Sequence, residues 1–199
     1  QVRHFIVQAD ELENPEFAAN PVNRCYLCKQ VLYGEAINIA TKLGIRQIVD
    51  GSTVDDLSDY RPGSQALAEL KIRSPLLEAG LTKEEIRAAS HALGLPTWNK
   101  QPLACLASRF PYGTTITAGK LRQVEACETY LRAEGVTTFR VRYHGDIARI
   151  EVGSDDIGRL MTAPLREKVV ARFKSAGFTH VSVDLQGFRS GSMNETLTV

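Results

Sequence analysis

The alternation of helical and extended patterns through the first half constrains this chain most. Val31, Leu32, Ala36, Ile39, Ala40 and Leu43 recur at the spacing of one helix face, and Gly44 stops that helix. The apolar residues 45–49 follow at once and end in Asp50-Gly51-Ser52. Such a run fits a buried strand that delivers a polar loop at its carboxyl end, where open parallel sheets bind ligands. His4-Phe5-Ile6-Val7 reads as a strand already under way, so residues upstream of Gln1 are expected. These signals predict an α/β parallel-sheet domain.

A polar loop carrying Asp55-Asp56, Asp59 and Arg61-Pro62-Gly63 comes next. Thr82 is placed to cap a helix over residues 83–93, with Glu85 completing a capping box and Gly94 closing the far end. Residues 96–113, with Pro96, Pro102, Pro111 and Cys105, lack a period and read as an ordered loop or domain connection. The second half then predicts a helix over 117–134, a hairpin of strands 138–143 and 148–152, a helix opened by Pro164, and a strand over 180–185. That order gives a small α+β domain over 114–199, following the first domain over 1–113.

Lysine and arginine total 24 against 23 acidic residues, a net charge of +1. The balance removes any electrostatic reason for general binding to nucleic acid or an anionic membrane, while a small anionic substrate fits it. No apolar stretch approaches the roughly 20 residues that span a bilayer, and no signal-peptide pattern opens the chain. A cytoplasmic protein is expected. Four cysteines in that compartment point to metal binding, catalysis or packing before structural disulfides.

Cys25-Tyr26-Leu27-Cys28 precedes a helix, so both sulfurs lie near backbone N–H groups that favour thiolate. Spacing leaves three readings open: a redox pair, half of a zinc site, or part of an iron-sulfur site. Cys105 lies in a proline-bounded loop beside Ser108 and Arg109, whereas Cys127 falls inside a helical pattern with Val124, Tyr130 and Leu131 and reads as a buried apolar residue.

Five separated motifs carry a resemblance. Asn23-Arg24-Cys25-Tyr26-Leu27-Cys28-Lys29, Asp50-Gly51-Ser52-Thr53-Val54-Asp55-Asp56, Asp59-Tyr60-Arg61-Pro62-Gly63, Cys105-Leu106-Ala107-Ser108-Arg109 and Gly187-Phe188-Arg189-Ser190-Gly191-Ser192-Met193-Asn194 resemble, in order, the LarE family. These are ATP-dependent sulfur transferases that help make the nickel-pincer nucleotide cofactor of lactate racemase. The resemblance implies a PP-loop ATP pyrophosphatase domain followed by a smaller substrate and oligomerisation domain, in a homo-oligomer. ATP would adenylylate a carboxylate of a pyridinium dicarboxylate mononucleotide, and sulfur would replace the activated oxygen. One form of the family sacrifices a single cysteine, at the position of Cys105, to dehydroalanine. The other holds a 4Fe-4S cluster on three cysteines, and Cys25, Cys28 and Cys105 match that form. The glycine-rich Ser-Gly-Gly-x-Asp-Ser phosphate loop does not occur in these residues and is expected upstream.

Further site candidates follow. Ser108 and Arg109 share the Cys105 loop and are expected to touch substrate, the arginine by a two-pronged contact. Arg140 and Arg142 alternate along a strand, which puts both on one face suited to the nucleotide's phosphate. Glu128, on the following helix, is placed to orient substrate or move a proton. Asp50, Asp55, Asp56, Asp59 and Arg61 follow the strand end and are expected to meet ATP, magnesium or pyrophosphate. Sulfide or another sulfur donor completes the reactants. Two other functions fit parts of the pattern: a PP-loop tRNA thiolation enzyme, and a zinc-stabilised binding module built on the same three cysteines.

Overall fold

A computed structural model of the chain describes residues 3–7, 9–58, 60–100, 104–195 and 197. It divides into two units, Gln1–Gln101 and Pro102–Val199, with helices throughout and a three-stranded sheet in the second. Both sequence halves are thus of mixed or helical type, and the whole is a mixed α/β chain. No helix among the described residues is long and apolar enough to cross a membrane.

The first unit carries α1 (Pro15–Ala18), α2 (Arg24–Lys42), α3 (Gly63–Glu69), α4 (Pro75–Glu78) and α5 (Lys83–Ala92). Gly44 ends α2 at φ +69°, where Ile45 N–H donates back to the Ala40 carbonyl. The expected capping box of α5 is complete, with the Glu85 N–H on Thr82 Oγ1 and the Thr82 N–H on the Glu85 carboxylate. α3 approaches α2 closely at Gly63: a Cβ there would lie 2.9 Å from the Lys29 side chain and 3.3 Å from the Cys25 carbonyl oxygen. Ala40, Ala66, Leu67 and Ile72 are buried in this unit.

Two sequence expectations are corrected here. Residues 3–7 form no strand, and Phe5, Ile6 and Val7 are exposed. Of residues 45–49, only Val49 pairs, in a single parallel bridge to Arg73. The Asp50 N–H donates to the Arg73 carbonyl and the Arg73 N–H to the Ile48 carbonyl, so the extended pattern survives only where a partner segment lies alongside.

In the second unit, α6 (Ala118–Ala133) buries Val124, Cys127, Glu128 and Leu131, the i, i+3, i+4, i+7 stripe of an amphipathic helix. Thr117 caps its start by accepting the Lys120 N–H. The hairpin of β1 (Phe139–His144) and β2 (Ile147–Val152) runs antiparallel, with Phe139 opposite Val152 and His144 opposite Ile147. The chain then forms α7 (Ser154–Leu160), which the sequence pattern had not separated, and α8 (Leu165–Ser175), before β3 (His180–Val183) returns parallel to β2. Val124, Leu131, Val141, Ile150, Val152 and Phe173 fill the core between the sheet and its helices.

Gly187, at φ +72°, lets the following segment lie against the end of β2, where the Phe188 N–H meets the Val152 carbonyl and a Cβ would stand 2.8 Å from that oxygen.

Leu131 is fully buried and Leu93 is 76 % exposed. Leu131→Ala is expected to destabilise the chain by about 2 to 5 kcal/mol, through lost burial plus the cavity left behind. Leu93→Ala should stay within about 0.5 kcal/mol of the parent. Urea unfolding followed by circular dichroism checks both; equal losses would contradict this placement of the core.

Candidate functional site

The four cysteines fall into distinct environments. Cys25 and Cys28 lie in the first turns of α2, one turn apart and so on adjacent positions of one face; Cys25 is exposed and Cys28 half-buried. The Cys28 thiol donates to Glu11 Oε1 at 3.4 Å. Cys105 is exposed in the second unit, at the entry to the 3-10 turn Leu106–Arg109. Cys127 is fully buried, and burial pushes its thiol up to about 12, with Glu128 raising it further and Arg172 opposing. The expected separation of Cys127 from the other three matches this burial. Within each unit, no three described His, Cys, Asp or Glu side chains stand together as a metal-holding group.

The acidic loop of the first unit forms two clusters. Asp50 is held by the Ser52 hydroxyl at 2.6 Å, the Ser74 hydroxyl at 2.5 Å, the Ser52 N–H at 3.2 Å and the Lys29 ammonium at 3.4 Å. Burial opposes its ionisation, but these donors together hold the carboxyl below the usual carboxylate range. Asp56 accepts from Lys83 at 2.8 Å, Arg61 at 2.9 Å and the Thr53 N–H at 2.9 Å. The same contest of burial against hydrogen bonds and cations lowers its pKa. Asp55 accepts the Lys83 N–H at 2.7 Å, at the start of α5. Asp59 lies outside the described residues. Beside this loop, a cleft of about 280 Å³ is lined by Gly51, Thr53, Lys83, Arg87 and Trp98 among others.

In the second unit the Cys105 turn rests on buried ion pairs. Arg109 makes a two-pronged contact with Glu128, Nε to Oε1 at 2.7 Å and Nη2 to Oε2 at 3.0 Å. Glu128 Oε1 also accepts the Val141 N–H at 3.0 Å. Arg142 donates to the Ser108 carbonyl at 2.9 Å, Glu151 Oε2 at 2.7 Å and Ser192 Oγ at 2.8 Å. Glu151 is completely buried and takes Arg149 and Ser192 on its other oxygen, both at 2.9 Å. Among the described residues, the buried Nε atoms of Arg142 and Arg149 find no hydrogen-bond partner.

Arg140 is only half-buried and lies 5.0 Å from the Phe188 ring. Burial first, then the charges of Arg109 and Arg142, lower its pKa, against the pull of Glu128 and Glu151. Several guanidinium groups therefore share one small region. Ser108, also half-buried, turns its hydroxyl onto the Cys105 carbonyl at 2.7 Å.

Sequence reasoning missed Glu151, Arg149 and Ser192. The signal for the first was present: in the hairpin register Glu151 stands opposite Arg140, among residues that alternate with the apolar Ile150 and Val152.

No protein-family profile matches the chain. It is 44 % identical over 197 residues to an uncharacterized protein of Synechocystis sp., covering 99 % of this chain and 74 % of that protein. It is 42 % identical over 189 residues to the pyridinium-3,5-bisthiocarboxylic acid mononucleotide synthase of Lactiplantibacillus plantarum, covering 95 % of this chain and 68 % of the synthase. An uncharacterized protein of Methanocaldococcus jannaschii is 31 % identical over 171 residues, 86 % of this chain and 66 % of its own length. At these identities and coverages the chain belongs to the LarE family of enzymes.

Proposed function

We propose that the chain carries out ATP-dependent sulfur transfer, converting an adenylylated carboxylate of a pyridinium dicarboxylate mononucleotide into a thiocarboxylate. In this reading Cys25, Cys28 and Cys105 hold a 4Fe-4S cluster. The observation that carries it is the division of the thiols: Cys25 and Cys105 are exposed and Cys28 half-buried, while Cys127 is sealed in the core and held protonated. Identity to a synthase named for a bisthiocarboxylic acid mononucleotide supports the substrate class.

The three residues suit such a group chemically. Iron is held by thiolates, and Cys25 and Cys28 stand one turn apart in the first turns of α2. Cys105 is exposed, as is Cys25. When bound, the cluster supplies an iron that takes up sulfide for delivery to an electrophilic carbon. The residues of the chain do the remaining work. A carboxylate becomes electrophilic only when its oxygen joins a good leaving group, and AMP is that group. Asp50 and Asp56, both held anionic, together with Asp55, Asp59 and Arg61, are assigned to magnesium and the phosphates of ATP. Lys83 and Arg87 add cationic lining to the adjoining cleft.

Of the residues assigned to the substrate, Ser108 and Arg140 are half-buried, while Arg109 and Arg142 are buried. Arg140 sits where neighbouring guanidinium groups make a negative ligand favourable, which suits the mononucleotide's phosphate.

Two outcomes are expected. Anaerobic protein reconstituted with iron and sulfide should show the broad visible absorption of a 4Fe-4S cluster. Serine at Cys25, Cys28 or Cys105 should abolish it, because a hard alcohol oxygen replaces thiolate poorly at iron. Cys127→Ser should retain it; loss in all four variants would contradict the division of the thiols. In the full-length protein, Arg140→Ala should weaken mononucleotide binding by about 1.5 to 3 kcal/mol and leave ATP binding unchanged. Calorimetric titration with each ligand measures both, and unchanged mononucleotide affinity would remove Arg140 from the phosphate site.

A further inference from the structure

The carbonyl of the exposed Cys105 carries three hydrogen bonds. The Cys105 carbonyl accepts from the Ser108 N–H at 3.0 Å, the Ser108 hydroxyl at 2.7 Å and Arg109 Nη1 at 3.2 Å. The same Nη1 reaches the Ala104 carbonyl at 3.2 Å and Ser108 Oγ at 2.8 Å. A guanidinium can do this because its donors lie in a fixed plane: one edge grips Glu128 while the remaining nitrogen faces the turn. Lysine offers a single charged centre on a flexible stem and cannot meet the carboxylate and both carbonyls at once.

Glu128 is fixed in turn. It sits on the buried stripe of α6 and accepts the Val141 N–H from β1, so both carboxylate oxygens are committed within the protein. The chain from β1 through Glu128 and Arg109 to the Cys105 carbonyl is continuous, and its two side chains are buried, Arg109 3 % and Glu128 5 % exposed. Stability alone does not demand such an arrangement. A buried ion pair carries a desolvation cost that well-packed apolar side chains avoid. What an apolar pair cannot supply is donors for the Ala104 and Cys105 carbonyls.

We propose that Arg109, braced by Glu128, is a positioning residue for Cys105, fixing the turn from which its thiol acts. The assignment rests on Cys105 taking part in sulfur transfer. Neither Arg109 nor Glu128 needs to touch substrate in this role, and Arg142, on the Ser108 carbonyl, secures the other end of the turn.

The test compares Arg109→Lys, Glu128→Gln and the double variant Arg109→Met/Glu128→Leu in the full chain. Amide hydrogen exchange and alkylation of Cys105 relative to Cys25 are followed by peptide mass spectrometry, and each protein is reconstituted with iron and sulfide. The double variant removes the charge pair while keeping the volume apolar, so it should stay folded. Its Ser108 and Phe110 amides should exchange about tenfold faster with those of α6 unchanged, as the turn opens locally. Its Cys105-to-Cys25 alkylation ratio should shift, and its cluster absorption should fall. Arg109→Lys should restore none of these.

Unchanged exchange in the turn of a folded double variant would overturn the proposal, as would global unfolding of that variant, which would make the pair a stability element. Faster turn exchange in a chain whose parent binds no cluster would sustain the positioning role and sink the cluster reading. A parent that binds the cluster, beside a double variant with unchanged turn exchange, would do the reverse.

Discussion

The ion pair between Arg109 and Glu128 is the interaction on which the turn after Cys105 depends. It ties three pieces of chain that no backbone ladder connects: the long helix α6, the first strand of the sheet and the turn after Cys105. Charges buried this deeply persist only when every remaining donor and acceptor is met. Here the strand amide takes one glutamate oxygen, and backbone carbonyls take the spare arginine nitrogen. The pair between Arg142 and Glu151 lies one step along the sheet with Ser192 on both partners, and there the Arg142 Nε finds no acceptor among the described residues. An exposed cysteine thus stands on a rigid base, the condition a reactive group needs when it must meet a substrate in one geometry.

The first unit solves a different problem, that of gathering anionic side chains without self-repulsion. Lys29 compensates Asp50, and Lys83 and Arg61 compensate Asp56. Hydroxyls from Ser52 and Ser74 supply the rest of the support. Because Lys29 belongs to the same helix as Cys25 and Cys28, and Gly63 allows α3 to pack against it, the cysteine helix and the acidic loop form one assembly.

Much of this was legible in the sequence because its causes are local. The capping box at Thr82, the glycine stops at 44 and 94, the apolar stripe of α6 and the hairpin around Gly145 depend on residues a few positions apart. Residues 4–7 and 45–49 were misread because an apolar run records a tendency to extend and says nothing of whether a partner strand lies beside it. The short helices α3, α4 and α7 are under two or about two turns long, too brief to display a period. At the site, the burial of Cys127 could be read from its helical neighbours. The same stripe contained Glu128, and a carboxylate on a buried face demands a cation. That the cation is Arg109 depends on a turn 19 residues away, which no local pattern encodes.

If sulfur passes through the chain without consuming Cys105, the polypeptide keeps its mass after turnover. The full-length protein would be incubated with ATP, magnesium, mononucleotide substrate and sulfide, then denatured and weighed while products per chain are counted. Several products per chain with the mass unchanged is the predicted result. One product at most, with a loss of about 34 Da mapped to Cys105 as its conversion to dehydroalanine, would show that Cys105 is consumed and contradict cluster-borne delivery.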